Sequence, residues 1–118
     1  MSTPILTSIG DTKQFQQLLS ENPGELIVKF GAEWCGPCKR IEKDVKATFE
    51  RMPSTVQTAI VDIDEELDVY AFLKTKKMVN GIPAILCWKK GNTSYIPDDS
   101  VLGADLEQLR LFFDRRQK

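Results

Sequence analysis

Ala32-Glu33-Trp34-Cys35-Gly36-Pro37-Cys38-Lys39 follows an apolar run containing Leu26, Ile27, Val28 and Phe30 and opens a segment with helical spacing. Two thiols three residues apart at a strand-to-helix junction form a redox device. A helix start presents unpaired backbone N–H groups and the positive end of the macrodipole, and both favour a thiolate over a thiol. Cys35 is expected at that start and Cys38 in the first turn. Pro37 falls where a helix tolerates proline, because its missing N–H would have had no partner there. Cys35 is therefore the expected nucleophile and Cys38 the resolving thiol.

Working outward, residues 3–9 read as a short strand, with Pro4 arguing for its start or for a sheet edge. Asp11 is a good N-cap for a helix carrying Phe15, Leu18 and Leu19, and the 21–25 stretch breaks that helix. Residues 25–31 are mostly apolar, as in a central strand covered on both faces. A long helix runs from Cys35 to about Met52, with Ile41, Val45, Thr48 and Phe49 inward. Residues 56–61 make a strand, and residues 65–75 a helix with Leu67, Tyr70, Ala71 and Leu73 available for packing. Residues 84–88 form a strand, the 94–102 segment its antiparallel return, and residues 104–115 a last helix burying Leu106, Leu109, Phe112 and Phe113. The order is βαβαβ, then α, then ββα. This is an α/β class chain with a mixed central sheet flanked by helices.

The chain has 118 residues, a net charge of −1, no histidine and three cysteines. That length makes residues 1–118 one domain. Its near-neutral balance gives no electrostatic ground for a nucleic-acid or membrane partner. The N-terminus does not read as a signal peptide, and no apolar run approaches the roughly 20 residues that span a bilayer. The expected location is cytoplasmic, where paired cysteines are catalytic or metal-binding rather than structural. Zinc is the rival, but a structural site wants four ligands and Cys87 is the one further candidate, so no metal is expected. Cys87, in an apolar run, reads as a small hydrophobe without a redox role.

The run Trp34-Cys35-Gly36-Pro37-Cys38-Lys39 resembles the active site of the thioredoxin family, and Gly81-Ile82-Pro83 before an apolar strand resembles its second mark. The likeness covers roughly residues 3 to 115. It implies the thioredoxin fold, a cis Pro83 lying against the cysteines, and protein-disulfide reductase activity by dithiol exchange. It further implies no bound cofactor, with reducing equivalents from NADPH through a thioredoxin reductase, and a monomer whose partners are disulfide-containing proteins. By the same resemblance Trp34, Gly36, Pro37, Ile63, Ile82, Pro83, Leu102, Gly103 and Ala104 form the substrate-binding rim. The Gly36-Pro37 pair resembles the reducing members rather than the oxidants and isomerases.

The chain departs from the family pattern at Lys29, where most members have a buried aspartate behind the second cysteine. The family's usual lysine partner for it maps to Ile60. Glu42 is four residues after Cys38 and shares its helix face. A Lys29–Glu42 charge pair beneath the dithiol, tuning its pKa or relaying its proton, is the expectation drawn from that spacing. Lys43 stands where the family commonly has a kinking proline, and residues 92–100 make a longer hairpin than is usual. A different class of reading keeps the fold as an interaction module or subunit with secondary or lost redox activity.

Overall fold

The computed structural model describes residues 3–116. Its elements are α1 (Thr12–Ser20), β1 (Glu25–Gly31), α2 (Gly36–Glu50), β2 (Val56–Asp62), α3 (Asp68–Thr75), β3 (Ala84–Lys89), β4 (Asp99–Leu102) and α4 (Leu106–Asp114). The four strands lie in the order β2-β1-β3-β4. Strand β1 pairs parallel with β2 and antiparallel with β3, and β3 pairs antiparallel with β4. The parallel pair needs a crossover, which α2 supplies, whereas β3 and β4 join through a hairpin loop.

Every residue of β1 is buried, because helices cover both faces of the sheet. Side chains alternate along it. Leu26, Val28 and Phe30 enter a core with Phe15, Leu19, Tyr70 and Leu73 of α1 and α3. Ile27 enters the opposite core with Ile41, Val45 and Phe49 of α2 and Leu109 and Phe112 of α4. Lys29 and Gly31 share the parity of Ile27 and so face α2, the helix that carries the cysteines. Helix α1 starts as the sequence predicts: Asp11 Oδ1 accepts from the Gln14 N–H and Gln14 Oε1 from the Asp11 N–H, both at 2.9 Å.

Three expectations need correction. The strand over residues 3–9 shrinks to one bridge, Leu6 beside Ala59, with the Leu6 N–H on the Thr58 carbonyl at 2.9 Å. Proline at position 4 has no N–H to give, and the N–H groups of Ile9 and Gly10 turn to the Glu66 carboxylate at 2.8 and 3.0 Å. Helix α3 begins at Asp68 rather than at 65, so its phase changes. Leu67 and Ala71 are exposed, and Val69 joins Tyr70 and Leu73 in the core. Helix α4 begins after an Asp105 cap that accepts from the Gln108 N–H at 3.0 Å, which leaves Leu106 exposed. Phe113 is half-buried, edge-on to Phe49 with centroids 6.1 Å apart.

The 90–98 loop folds onto the body of the protein. Tyr95 meets Phe72 edge-on at 5.6 Å, and Gln16 Nε2 donates to the Thr93 carbonyl at 2.9 Å.

Candidate active site

Cys35 is the N-cap of α2, and its sulfur accepts the backbone N–H of Cys38 at 3.2 Å. That N–H belongs to the set of helix-start donors without an intrahelical partner, so it is free to hold charge on sulfur. The two cysteines are joined in a disulfide and are almost fully buried. Gly36 and Pro37 form the exposed first positions of the helix. Beyond its chain neighbours and its own helix backbone, a Cβ on Gly36 would meet open space.

Ala32, Ile63 and Ile82 pack around the cysteines. The Ile63 N–H donates to the Gly31 carbonyl at 3.0 Å, which fixes the end of β2 beside the end of β1. The Ile82–Pro83 peptide bond is cis. The Pro83 carbonyl accepts the Gly103 N–H at 2.8 Å, and Gly103 has φ +92°, a turn that glycine takes without a Cβ penalty. Trp34 is 69% exposed, and its Nε1 donates to Asp64 at 2.7 Å. Leu102, paired with Ala84, is exposed. Ala104 is placed elsewhere: it packs on the α2/α4 core rather than around the sulfurs.

Behind Cys38 lies an open cavity of about 210 Å³, bordered by Lys29, Gly31, Cys38, Lys39, Glu42 and Ile60 among others. Lys29 pairs in register with Ile60 and is 3% exposed. Burial, the largest influence, pulls its pKa below the ordinary 10.5 against the attraction of Glu42, and repulsion from Lys39 adds to the fall. The expected Lys29–Glu42 contact pair does not form among the described residues. Glu42 instead meets Lys39 at 3.7 Å, and Lys39 also holds Glu33 at 2.6 Å. Lys39 lies on the helix surface within reach of both carboxylates, whereas Lys29 is buried on the strand. Asp64 is the site neighbour that the sequence does not reveal, because it lies 30 positions from Trp34. Glu33 and Lys39 stand within the motif stretch, but their ion pair carries no sequence signal.

Among the described residues no group of three or more His, Cys, Asp or Glu side chains is placed to hold a metal ion. The site is thus a buried disulfide at a helix start, flanked by an exposed indole and a cis-proline turn. The family model described as Thioredoxin matches residues 7–114. The chain belongs to the thioredoxin family. It is 36% identical over 92 residues to the thioredoxin of Mycoplasma pneumoniae, covering 77% of this chain and 83% of that one. It is 31% identical over 102 residues to thioredoxin 1 of Plasmodium falciparum, covering 86% and 88%. The thioredoxin of Trichomonas vaginalis superposes with a TM-score of 0.74 at 28% identity, covering 97% of this chain and 98% of that one. The architecture is the thioredoxin fold, and the chain is a thiol-disulfide oxidoreductase acting on protein disulfides.

Proposed function

We propose that Cys35 is the attacking thiolate, Cys38 the resolving thiol, and that the chain works as a reductase recharged by an NADPH-dependent thioredoxin reductase. The observation that carries the division of labour is the Cys38 N–H directed at Cys35 Sγ. A thiolate on Cys35 gains that donor and the helix dipole, and Cys38 sits one turn deeper. Cys35 attacks one sulfur of a target disulfide, forming a mixed disulfide and expelling the other target sulfur as a thiolate, which takes up a proton. Cys38, after losing its proton, attacks Cys35 Sγ; the bond between Cys35 and the target breaks, and the Cys35–Cys38 disulfide forms. Two electrons pass from the dithiol to the target, and the reductase returns them.

The rim for an extended target segment consists of Trp34, Gly36, Pro37, Ile63, Ile82, Pro83, Leu102 and Gly103. The backbone beside Pro83 pairs with that segment as a short added strand. The exposure of Trp34 and Leu102 supports this reading. The proposed working form is a cytoplasmic monomer, and the Gly36-Pro37 dipeptide, which resembles that of the reducing members, supports the reductase direction.

The test is reduction of insulin disulfides with excess dithiothreitol, comparing the unsubstituted chain with Cys35→Ser. Acceleration that disappears in the variant supports the reading. No acceleration above dithiothreitol alone overturns it and leaves the fold as an interaction module.

A further inference from the structure

We infer that Lys29 is the charge partner of the Cys38 thiolate: when the dithiol is reduced, the Lys29 ammonium faces Cys38 across the cavity behind α2 and favours its ionised form. This rests on the reductase reading and adds the residue that prepares its resolving step.

The geometry places the two groups around one unfilled position. A Cβ built on Gly31 would lie 3.4 Å from Cys38 Sγ and 4.0 Å from Lys29 Cε. Glycine at 31 therefore leaves the space between sulfur and lysine free of side-chain atoms. Both residues are at least nine-tenths buried overall, and both border the same open cavity. Lys39, the other cation on the cavity, is occupied by Glu33 and Glu42. The carboxylates on the wall are Glu33, Glu42, Asp62 and Glu65. They favour the ammonium on Lys29 but oppose a thiolate on Cys38, so of the groups on this wall the lysine is placed to favour it. Among the described residues Lys29 makes no ion pair, and a thiolate opposite it supplies one in the reduced state.

In the resolving step the Cys38 proton leaves through the open cavity to solvent. The thiolate, held by Lys29, attacks Cys35 Sγ, and the departing target thiolate takes a proton back. Once the disulfide has formed, the anion is gone and Lys29 loses its partner. The pair thus belongs to the reduced state alone.

The test isolates Cys38 in the Cys35→Ser chain and follows its alkylation by iodoacetamide against pH, with and without Lys29→Met. The expected result is a midpoint raised by about one pH unit, with alkylation below the midpoint about tenfold slower. A midpoint that stays put or falls overturns the inference. A second measurement needs no substitution at Lys29. Coupling is reciprocal, so the Lys29 side chain, followed by carbon NMR at Cε in the unsubstituted protein, titrates higher in the dithiol than in the disulfide form. Equal titration in both forms overturns the inference. Neither readout involves insulin, so a failed reductase assay with a shifted Cys38 midpoint removes the reductase reading and leaves the pair standing.

Discussion

Arg116 Nη1 lies 3.4 Å from Glu25 Oε2, joining the segment after α4 to the first residue of the central strand across 91 positions of sequence. Both side chains are buried. The same guanidinium reaches Asp99 of β4, donates from Nε to the Phe112 carbonyl at 3.0 Å, and sits 4.4 Å over the Phe112 ring. The network packs on Phe112, a member of the α2/α4 core. Removing one member of a buried pair strands the other.

Arg116→Met is therefore expected to lower unfolding free energy by about 3 kcal/mol, because the Glu25 carboxylate stays buried without its cation. Urea unfolding of the single variants and of Arg116→Met/Glu25→Gln measures the coupling. The double variant is expected to be more stable than additivity allows by about 1 kcal/mol or more. Simple additivity would show that the two side chains do not act as a pair.

Cys87 touches this network, with Sγ 3.6 Å from Glu25 Oε2. Its thiol is pushed up to about 12, chiefly by burial, with the Arg116 charge opposing and the Glu25 charge reinforcing. It should be inert. In the disulfide form the folded protein is expected to release no thiol signal with an aromatic disulfide reagent at about pH 8, and the denatured protein one. Mass mapping that finds Cys87 modified in the folded chain at the rate of an exposed thiol would sink this account.

The difference between these two residues marks what the sequence could reveal. Cys87 reads correctly as a small buried hydrophobe because its apolar neighbours Leu86 and Trp88 are local in sequence. Arg116 gives no such signal: its partners come from β1 and β4, and a charged residue after a helix ordinarily reads as solvated. The dithiol, the proline turn and the burial of β1 on both faces are legible because motif and apolar run are local properties, whereas the apolar run does not say which residues of β1 face α2. The 3–9 strand shortens to the Leu6 bridge because Pro4 has no N–H and the Ile9 N–H is claimed by Glu66, more than 50 residues away. The phase of α3 slipped for a related reason. Counting apolar residues from Leu67 misses that the Glu66 side chain is turned toward Ser8, Ile9 and Gly10, so the helix proper starts at Asp68.

Glu66 makes that tether pH-dependent. Burial pushes its carboxyl pKa up, but the Ser8 hydroxyl and the N–H groups of Ile9 and Gly10 outweigh this and hold it below 4.5. A carboxyl with a depressed folded pKa contributes stability that is present above the unfolded value and lost as pH falls through the folded one. Glu66→Gln is expected to cost about 1 kcal/mol at neutral pH. The gap between the two proteins should narrow as pH falls from about 5 to 3. Urea midpoints measured across that range check it, and a gap that does not change with pH would leave the tether without an ionic part.

Trp34 should matter for turnover and hardly at all for stability. Trp34 is 69% exposed, so folding buries little of it, and its indole N–H donates to the exposed Asp64 carboxylate. A large exposed aromatic beside the reacting sulfurs is instead available to a docking partner, where burying it has the weight of a hot spot. Trp34→Ala is expected to shift the unfolding free energy by less than about 0.5 kcal/mol. It should lower kcat/KM for insulin roughly tenfold, the kinetic equivalent of about 1.4 kcal/mol of lost transition-state binding. Asp64→Asn keeps an acceptor for the indole N–H and should retain most of the activity, whereas Asp64→Ala frees the ring and falls between the two. If Trp34→Ala destabilises the fold as much as it slows reduction, the indole is a structural group and the docking surface lies elsewhere on the rim.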